Sequence, residues 1–302
     1  MSKAPYQRRI MVNPAGNELF RTNAILWGRA KQYYVGEFPG PLSIKSVTKG
    51  RAVWDTSEAR RVVEGSNYLV LNAGRPYSIT IDATEIVETF CLFFRAGFVE
   101  EVRRVEREKP KSLLDEPERV EVAEFYETLQ RQDEQVSPIL GRMHAAVAQK
   151  NAPDAWLEDQ FFALAKALVR TQHKVRMGAQ RVFAKKASTR EELYRRLLRG
   201  KDYMDSYYDG DLRLEEIARA ASVSPYHFHR LFHGVFGETP NEYLQQKRLS
   251  RARELLRNSE QSVMEVSLAV GFESSTSFSA LFRRAYGCSP REYRAAPQVH
   301  KK

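Results

Sequence analysis

Between residues 24 and 95 the apolar residues fall in short runs, AILWG, YYVGEF, LSIKSVT, RAVWDT, ARRVVE, NYLVLN, YSITI and EIVETFCLFF, separated by FPGP, TKG, EGSN and NAGRP. Runs of this length broken by Gly, Pro and Asn predict strands joined by tight turns, and a succession of them predicts a barrel or sandwich. Beyond residue 120 the period becomes helical. Val122, Phe125, Tyr126 and Leu129 make one stripe, Val136, Leu140, Met143 and Val147 a second, and Leu157, Phe161, Leu164 and Leu168 a third. The last two alternate spacings of four and three, which suits either a helical bundle within the chain or a short seam between two copies. Residues 175–188, VRMGAQRVFAKKAS, are basic and weakly periodic and read as a linker, after which Ser188 and Glu191 form a capping box for the next helix.

The pattern then repeats. SPYHFHRLFHGVFGETPNEY, residues 224–243, aligns without a gap with SSTSFSALFRRAYGCSPREY, residues 274–293. Ser224/Ser274, Phe228/Phe278, Leu231/Leu281, Phe232/Phe282, Gly237/Gly287, Pro240/Pro290, Glu242/Glu292 and Tyr243/Tyr293 are identical, so one supersecondary unit is used twice. In the first copy Ser224 is a good N-cap, Pro225 suits the first helical position and Gly237 can take the left-handed conformation that ends a helix. A helix over about 225–236 follows, with Phe228, Leu231, Phe232 and Val235 as its buried stripe. Thr239-Pro240-Asn241-Glu242 and Ser289-Pro290-Arg291-Glu292 are capping boxes that start a further helix in each copy. Upstream lie amphipathic helices at 212–223 and 262–272, the latter capped by Ser262 and Glu265. Two helices joined by a three- or four-residue turn, the second with a polar face, read as helix-turn-helix.

That polar face carries Tyr226, His229, Arg230 and His233. Two histidines four apart hold zinc only with a third ligand, and no Glu follows His229 as in HExxH, so no metal is expected here. Charge supports another partner. Residues 1–169 hold 23 Lys+Arg and 23 Asp+Glu, whereas residues 170–302 hold 25 and 15, so the net +10 of the chain lies wholly in the repeat-bearing part. An excess confined to the helix-turn-helix segment is the electrostatic footprint of nucleic-acid binding.

Residues 189–294 resemble the tandem helix-turn-helix transcription regulators of the AraC type. The resemblance rests on LEEIARAASVSPYHFHRLFHGVFGETPNEYLQQKRLSRARELL and VMEVSLAVGFESSTSFSALFRRAYGCSPREYR, with the GF pair and the terminal G-x-S-P-x-x-Y-R as its marks. It implies two recognition helices entering successive major grooves about 34 Å apart, spaced by a connector at 240–257 whose apolar positions are Leu244, Leu249, Ala252, Leu255 and Leu256. Carried over residue by residue, it places Tyr226, His229 and Arg230 at base edges in one groove and Thr276, Ser277 and Ala280 in the other. Ala280 departs from the long polar side chain common at that position, so the first helix is expected to do most of the direct reading, with Arg230 either on a base or on a phosphate. Ser224, His233, Ser274, Arg283 and Arg284 are the phosphate candidates; His227 lies between the faces and takes no role.

The N-terminal runs, over about 20–97, look like the cupin-type sensor barrel of such regulators. Enzymatic cupins bind metal through barrel histidines, and the first histidine here is His144, so no catalytic residue, metal or cofactor is expected; Glu85 and Glu88 read as solvated strand residues. The expectation is an α+β chain: a cupin-like β-barrel sensor domain over 1–110, a helical middle region over 111–187 with a possible role in dimerisation, and an all-α tandem helix-turn-helix domain over 188–302. Implied partners are double-stranded DNA, a small-molecule effector whose contacts the sequence does not assign, a second copy of the chain, and, from the resemblance, RNA polymerase. The competing expectations are a barrel that serves only protein contacts, and a metal-dependent cupin enzyme fused to a DNA-binding domain. No apolar run nears the roughly 18 residues that span a bilayer, MSKAPYQRRI lacks a signal-peptide core, and Cys91 and Cys288 lie in unrelated segments, which together point to the cytoplasm.

Overall fold

The computed structural model describes residues 10–13, 19–107 and 124–296. The chain divides into two compact units, Met1–Gln180 and Arg181–Lys302.

The first unit is a nearly closed barrel built from β1 (Ile10–Val12), β2 (Asn23–Pro39), β3 (Ser43–Lys49), β4 (Arg51–Thr56), β5 (Arg60–Glu64), β6 (Asn67–Leu71), β7 (Pro76–Phe93) and β8 (Leu129–Arg131). β2 and β7 are long antiparallel partners, from Ala24↔Phe93 to Pro39↔Pro76. The C-terminal half of β7 also pairs with β3 and its N-terminal half with β4, so these two strands pass through both walls of the barrel. Among the described residues the pairings are antiparallel except β1 with β2.

Two breaks expected from the sequence are absent. AILWG and YYVGEF belong to the single strand β2, and YSITI and EIVETFCLFF to β7. The polar residues that seemed to end the runs sit at an irregularity where pairing jumps from Ala30↔Val87 to Gln32↔Asp82; the chain bends there without leaving the sheet.

The unbroken apolar character of the later runs has a simple cause. Alternate residues serve two cores: Val47, Trp54, Leu69, Ile81, Val87, Cys91 and Phe93 fill the barrel, whereas Ile44, Tyr68, Val70, Phe90 and Leu92 face outward. The outward set is covered by α1 (Phe98–Arg107), α2 (Ser137–Ala148) and α3 (Asp154–Ala179). Val136, Leu140, Met143 and Val147, with Leu157, Phe161, Leu164 and Leu168, pack in that same layer against the strands, so both stripes are buried within the chain. The stripe that includes Phe125, Tyr126 and Leu129 is not helical. Leu129 begins β8, opposite Leu69, and the Asn72 side chain clamps Phe125, donating to its carbonyl and accepting from its N–H, both at 2.8 Å. Val122 lies outside the described residues.

The second unit holds α4 (Ala187–Tyr207), α5 (Leu214–Ala220), α6 (Pro225–Phe236), α7 (Pro240–Asn258), α8 (Val263–Ala269), α9 (Ser275–Tyr286) and α10 (Pro290–Ala295). The α+β expectation holds. Residues 175–179 continue α3 and are not linker, and α4 starts at Ala187 from Lys186 with no side-chain cap, so Ser188 is not its N-cap.

Candidate nucleic-acid interface

The repeated sequence folds into a repeated object. Ser224 and Ser274 cap α6 and α9, each hydroxyl oxygen accepting from the amide three residues on, His227 or Ser277, at 3.4 Å. Gly237 and Gly287 end them in the left-handed conformation, at φ 79° and 76°. Thr239 and Glu242 close their capping box with N–H to carboxylate at 2.8 Å and the reciprocal bond at 3.2 Å; Ser289 and Glu292 match it at 2.7 and 3.2 Å. The Thr239 and Ser289 groups hold both carboxyls below their ordinary range, because the bonds favour the charged form.

The identical aromatic residues stack alike. Ring centroids of Phe228 and Phe232 are 5.4 Å apart and those of Phe232 and Tyr243 5.5 Å; the counterparts Phe278, Phe282 and Tyr293 give 5.6 Å and 5.6 Å. Each cluster fixes the buried side of its helix and therefore which side faces water.

Tyr226, His229, Arg230 and His233 accordingly share the exposed side of α6, Tyr226 being 77% exposed and the Arg230 guanidinium carbon 6.0 Å from its ring centroid. His227 is half-buried. Thr276, Ser277, Ala280, Arg283 and Arg284 are exposed on α9, as are the capping serines Ser224 and Ser274. Among the described residues no group of three or more His, Cys, Asp and Glu is placed to hold a metal ion.

The turns that precede the two helices differ in a way the gapless alignment hides, because the difference lies just upstream of it. Three residues, 221–223, separate α5 from the Ser224 cap, whereas four, 270–273, separate α8 from the Ser274 cap. Both α5 and α8 end in the same double hydrogen bond: Ser222 N–H to Arg219 O and Val223 N–H to Ala218 O in the first, Gly271 to Leu268 and Phe272 to Ser267 in the second. That motif needs a left-handed residue. The second copy supplies Gly271 at φ 86°, but the first uses Ser222 at φ 54°. A left-handed non-glycine residue is strained by roughly 1–2 kcal/mol, of which glycine's extra unfolded-state freedom takes back about 0.5–1. Ser222→Gly is thus expected to raise the stability of the second unit by up to about 1 kcal/mol in urea unfolding, with DNA affinity unchanged.

A polar framework absent from the sequence expectations fixes α7, the connector. Leu244, Leu249, Ala252 and Leu256 are buried and Leu255 partly so. Tyr243 Oη donates to Asp205 Oδ2 at 2.7 Å, and Lys201 Nζ reaches the same oxygen at 2.9 Å. Burial opposes the Lys201 charge, but Asp205 and its neighbours outweigh this and hold the ammonium protonated. Arg248 donates to the carbonyls of Tyr208 and Gly210 at 2.7 and 2.8 Å. Gly271 packs against the same loop, so closely that a Cβ would stand 2.8 Å from Tyr208 O. The loop after α4 is therefore gripped by both the connector and the second turn, which locks the two helix-turn-helix units together.

Glu88 is not a solvated residue: Thr48 Oγ1 donates to its Oε1 at 2.6 Å, His144 Nε2 lies 2.8 Å from the same oxygen, and Arg29 Nε is 3.1 Å from Oε2. Burial pushes this carboxyl up, and the bonds from Thr48 and His144 more than offset it, so it lies below its ordinary value. Glu85 is exposed, as expected. His144, on α2, rests edge-on against Trp27 and Phe90, so a helix outside the barrel supplies the histidine that the strands lack.

Comparison with known proteins places this geometry. Residues 217–296 match the family described as helix-turn-helix domain. Over 92 residues the chain is 38% identical to the HTH-type transcriptional activator RhaS of Klebsiella pneumoniae and 36% identical to the regulatory protein PocR of Salmonella typhimurium, in each case 30% of this chain. The match spans 33% and 30% of those relatives' own lengths, about a third. A solved AraC-type transcriptional regulator from Chromobacterium violaceum is 34% identical, with a TM-score of 0.32, over 33% of this chain and 89% of that one. Residues 217–296 accordingly form a helix-turn-helix domain, in the segment that aligns with RhaS and PocR.

Proposed function

We propose that the whole chain is a sequence-specific transcription regulator: the second unit reads DNA and the N-terminal barrel holds a small-molecule effector that sets its activity. What carries the proposal is the pair of N-capped helices, α6 and α9, each held on an identical aromatic cluster and each turning uncharged polar or basic side chains to water. Tyr226, His229 and Arg230 read bases in one major groove and Thr276, Ser277 and Ala280 line the next, while Ser224, His233, Ser274, Arg283 and Arg284 meet phosphates. The capping serines keep a hydroxyl proton for a phosphate oxygen while their oxygen serves the helix. RhaS and PocR are regulators by name, which favours regulation over catalysis here; RNA polymerase enters as a partner only through the resemblance to AraC-type regulators. No described helix is long and apolar enough to cross a membrane, which accords with a cytoplasmic protein.

The test is selection of duplexes from a random pool by the full chain and by residues 181–302. Both are expected to enrich one bipartite motif, its halves about one helical turn apart, with affinity falling steeply with salt because the counterions displaced from the phosphates gain less entropy in a saltier solution. A folded fragment that binds no duplex at low salt ends the proposal. If the barrel serves only protein contacts, DNA affinity will respond to no small molecule; if it is an enzyme, purified protein will carry stoichiometric metal.

A further inference from the structure

The barrel encloses a cavity of about 530 Å³ whose walls are largely apolar, with Trp54, Ile79, Ile81 and Phe93 among them. That is within the range of small-molecule sites. One amine enters it. Lys45, on β3, is 1% exposed, and its Nζ lies 2.7 Å from Tyr77 Oη, 3.9 Å from the Phe93 ring centroid and 4.3 Å from that of Tyr77.

Among the described residues this amine has no carboxylate partner. The other titratable side chains lining the cavity are Arg29, Tyr33, Tyr77 and Cys91. Arg29 is engaged by Glu88, and burial pushes the Tyr77 hydroxyl and the Cys91 thiol up, so neither supplies negative charge near neutral pH. A buried ammonium without a counter-charge is strongly unfavourable. Packing does not account for it, because methionine has nearly the same length and flexibility and no charge to desolvate.

We propose that the cavity binds an apolar monocarboxylate, its carboxylate seated on Lys45 Nζ beside the Tyr77 hydroxyl and its alkyl or aryl body against Trp54, Ile79, Ile81 and Phe93. This rests on the barrel being the effector site and adds the chemistry of the effector. Such a ligand supplies the one group the cavity lacks, and the two rings beside the ammonium spread its charge further. Burial lowers Lys45 to about 7 in the free protein. Since the carboxylate binds the protonated amine, association above that pH must take up a proton, and affinity falls about tenfold per pH unit.

The experiment is calorimetric titration of the full chain with decanoate and 2-naphthoate below any micellar concentration, beside decan-1-ol and 2-naphthamide, from pH 6 to 9. Expected is one saturable site for the carboxylates, weakening above pH 7, and weaker, pH-independent binding of the neutral compounds. Lys45→Met should weaken the carboxylates about tenfold or more, remove their pH dependence and leave decan-1-ol bound, the last result proving the cavity intact. The same variant has a signature without ligand. Unfolded lysine holds its proton to about 10.5 and the buried one only to about 7, so wild-type stability rises with pH across that window; in Lys45→Met the rise is absent. Neutral compounds that bind as well as carboxylates, or carboxylate affinity that survives Lys45→Met or is lost on Arg29→Gln instead, overturn the proposal while leaving an effector site standing. No binding of any probe overturns it too, and if DNA affinity also answers to no small molecule, the effector role itself fails.

Discussion

Phe228→Ala is expected to destabilise the second unit by about 3–5 kcal/mol, the range for truncating a fully buried aromatic side chain, and to remove specific DNA binding with it. Phe228 is 0% exposed and stacks on Phe232. Its opposite contact is Gly200 of α4, where a Cβ would stand 2.4 and 2.7 Å from the ring atoms Cε2 and Cζ. The ring lies directly against the α4 backbone, so the groove it leaves is walled by main chain, which relaxes little. A domain of this size has about 5–15 kcal/mol in total, so the loss removes a large share of it. Gly200→Ala attacks the same contact from the other side and overpacks it, at about 1–3 kcal/mol. Because both changes act on one contact, Phe228→Leu with Gly200→Ala should lose less than the sum of the two single changes. Urea unfolding of residues 181–302 reads all of these. A Phe228→Ala loss under about 1 kcal/mol would mean that the aromatic cluster does not organise α6, and the exposed face it defines would lose its basis.

That cluster was legible in the sequence because every element that makes it is local. N-cap, stripe, glycine stop and capping box fall within twenty residues, and each has one favourable conformation. The residues on the exposed side of α6 and α9 followed once the stripes fixed the buried side. What escaped was set by partners distant in sequence. Glu88 looked like an ordinary strand carboxylate because Thr48 and His144 lie 40 and 56 positions away. Asn72 could not be matched to Phe125, nor Lys201 and Asp205 to Tyr243, for the same reason. The strand breaks expected near Lys31 and Asp82 are absent because polar residues end a run in the sequence, whereas a bend in a paired strand tolerates them. Lys45 sits in a strand run, LSIKSVT, whose alternation would let it point to solvent; only the closure of the barrel turns it inward.

Arg230→Ala should weaken binding to the selected site by about 1–3 kcal/mol, roughly 5- to 150-fold, and relax preference at a single base pair while non-specific affinity changes little. Of the residues exposed on α6 only Arg230 carries the planar fork that meets guanine O6 and N7 together. Tyr226 lies one turn away on the same face, its ring 6.0 Å from the guanidinium, which restrains the side chain toward whatever that face meets. At the corresponding position of α9 stands Ala280, exposed and without a donor, so nothing on the second helix can replace the contact. Arg283 and Arg284 differ in kind. They lie in the last turn of α9, beyond the N-terminal residues that enter a groove first, and a side chain there reaches the backbone more readily than a base edge. Replacing either by alanine should weaken every sequence about equally and reduce the slope of log affinity against log salt by about one unit. Titration of the three variants against the selected site, its single-base variants and random duplex at several salt concentrations separates the two behaviours. Should Arg230→Ala instead weaken all duplexes alike and leave base preference intact, Arg230 is a backbone clamp, and reading in that groove falls to Tyr226 and His229, whose single donors and acceptors discriminate less sharply than a two-pronged contact.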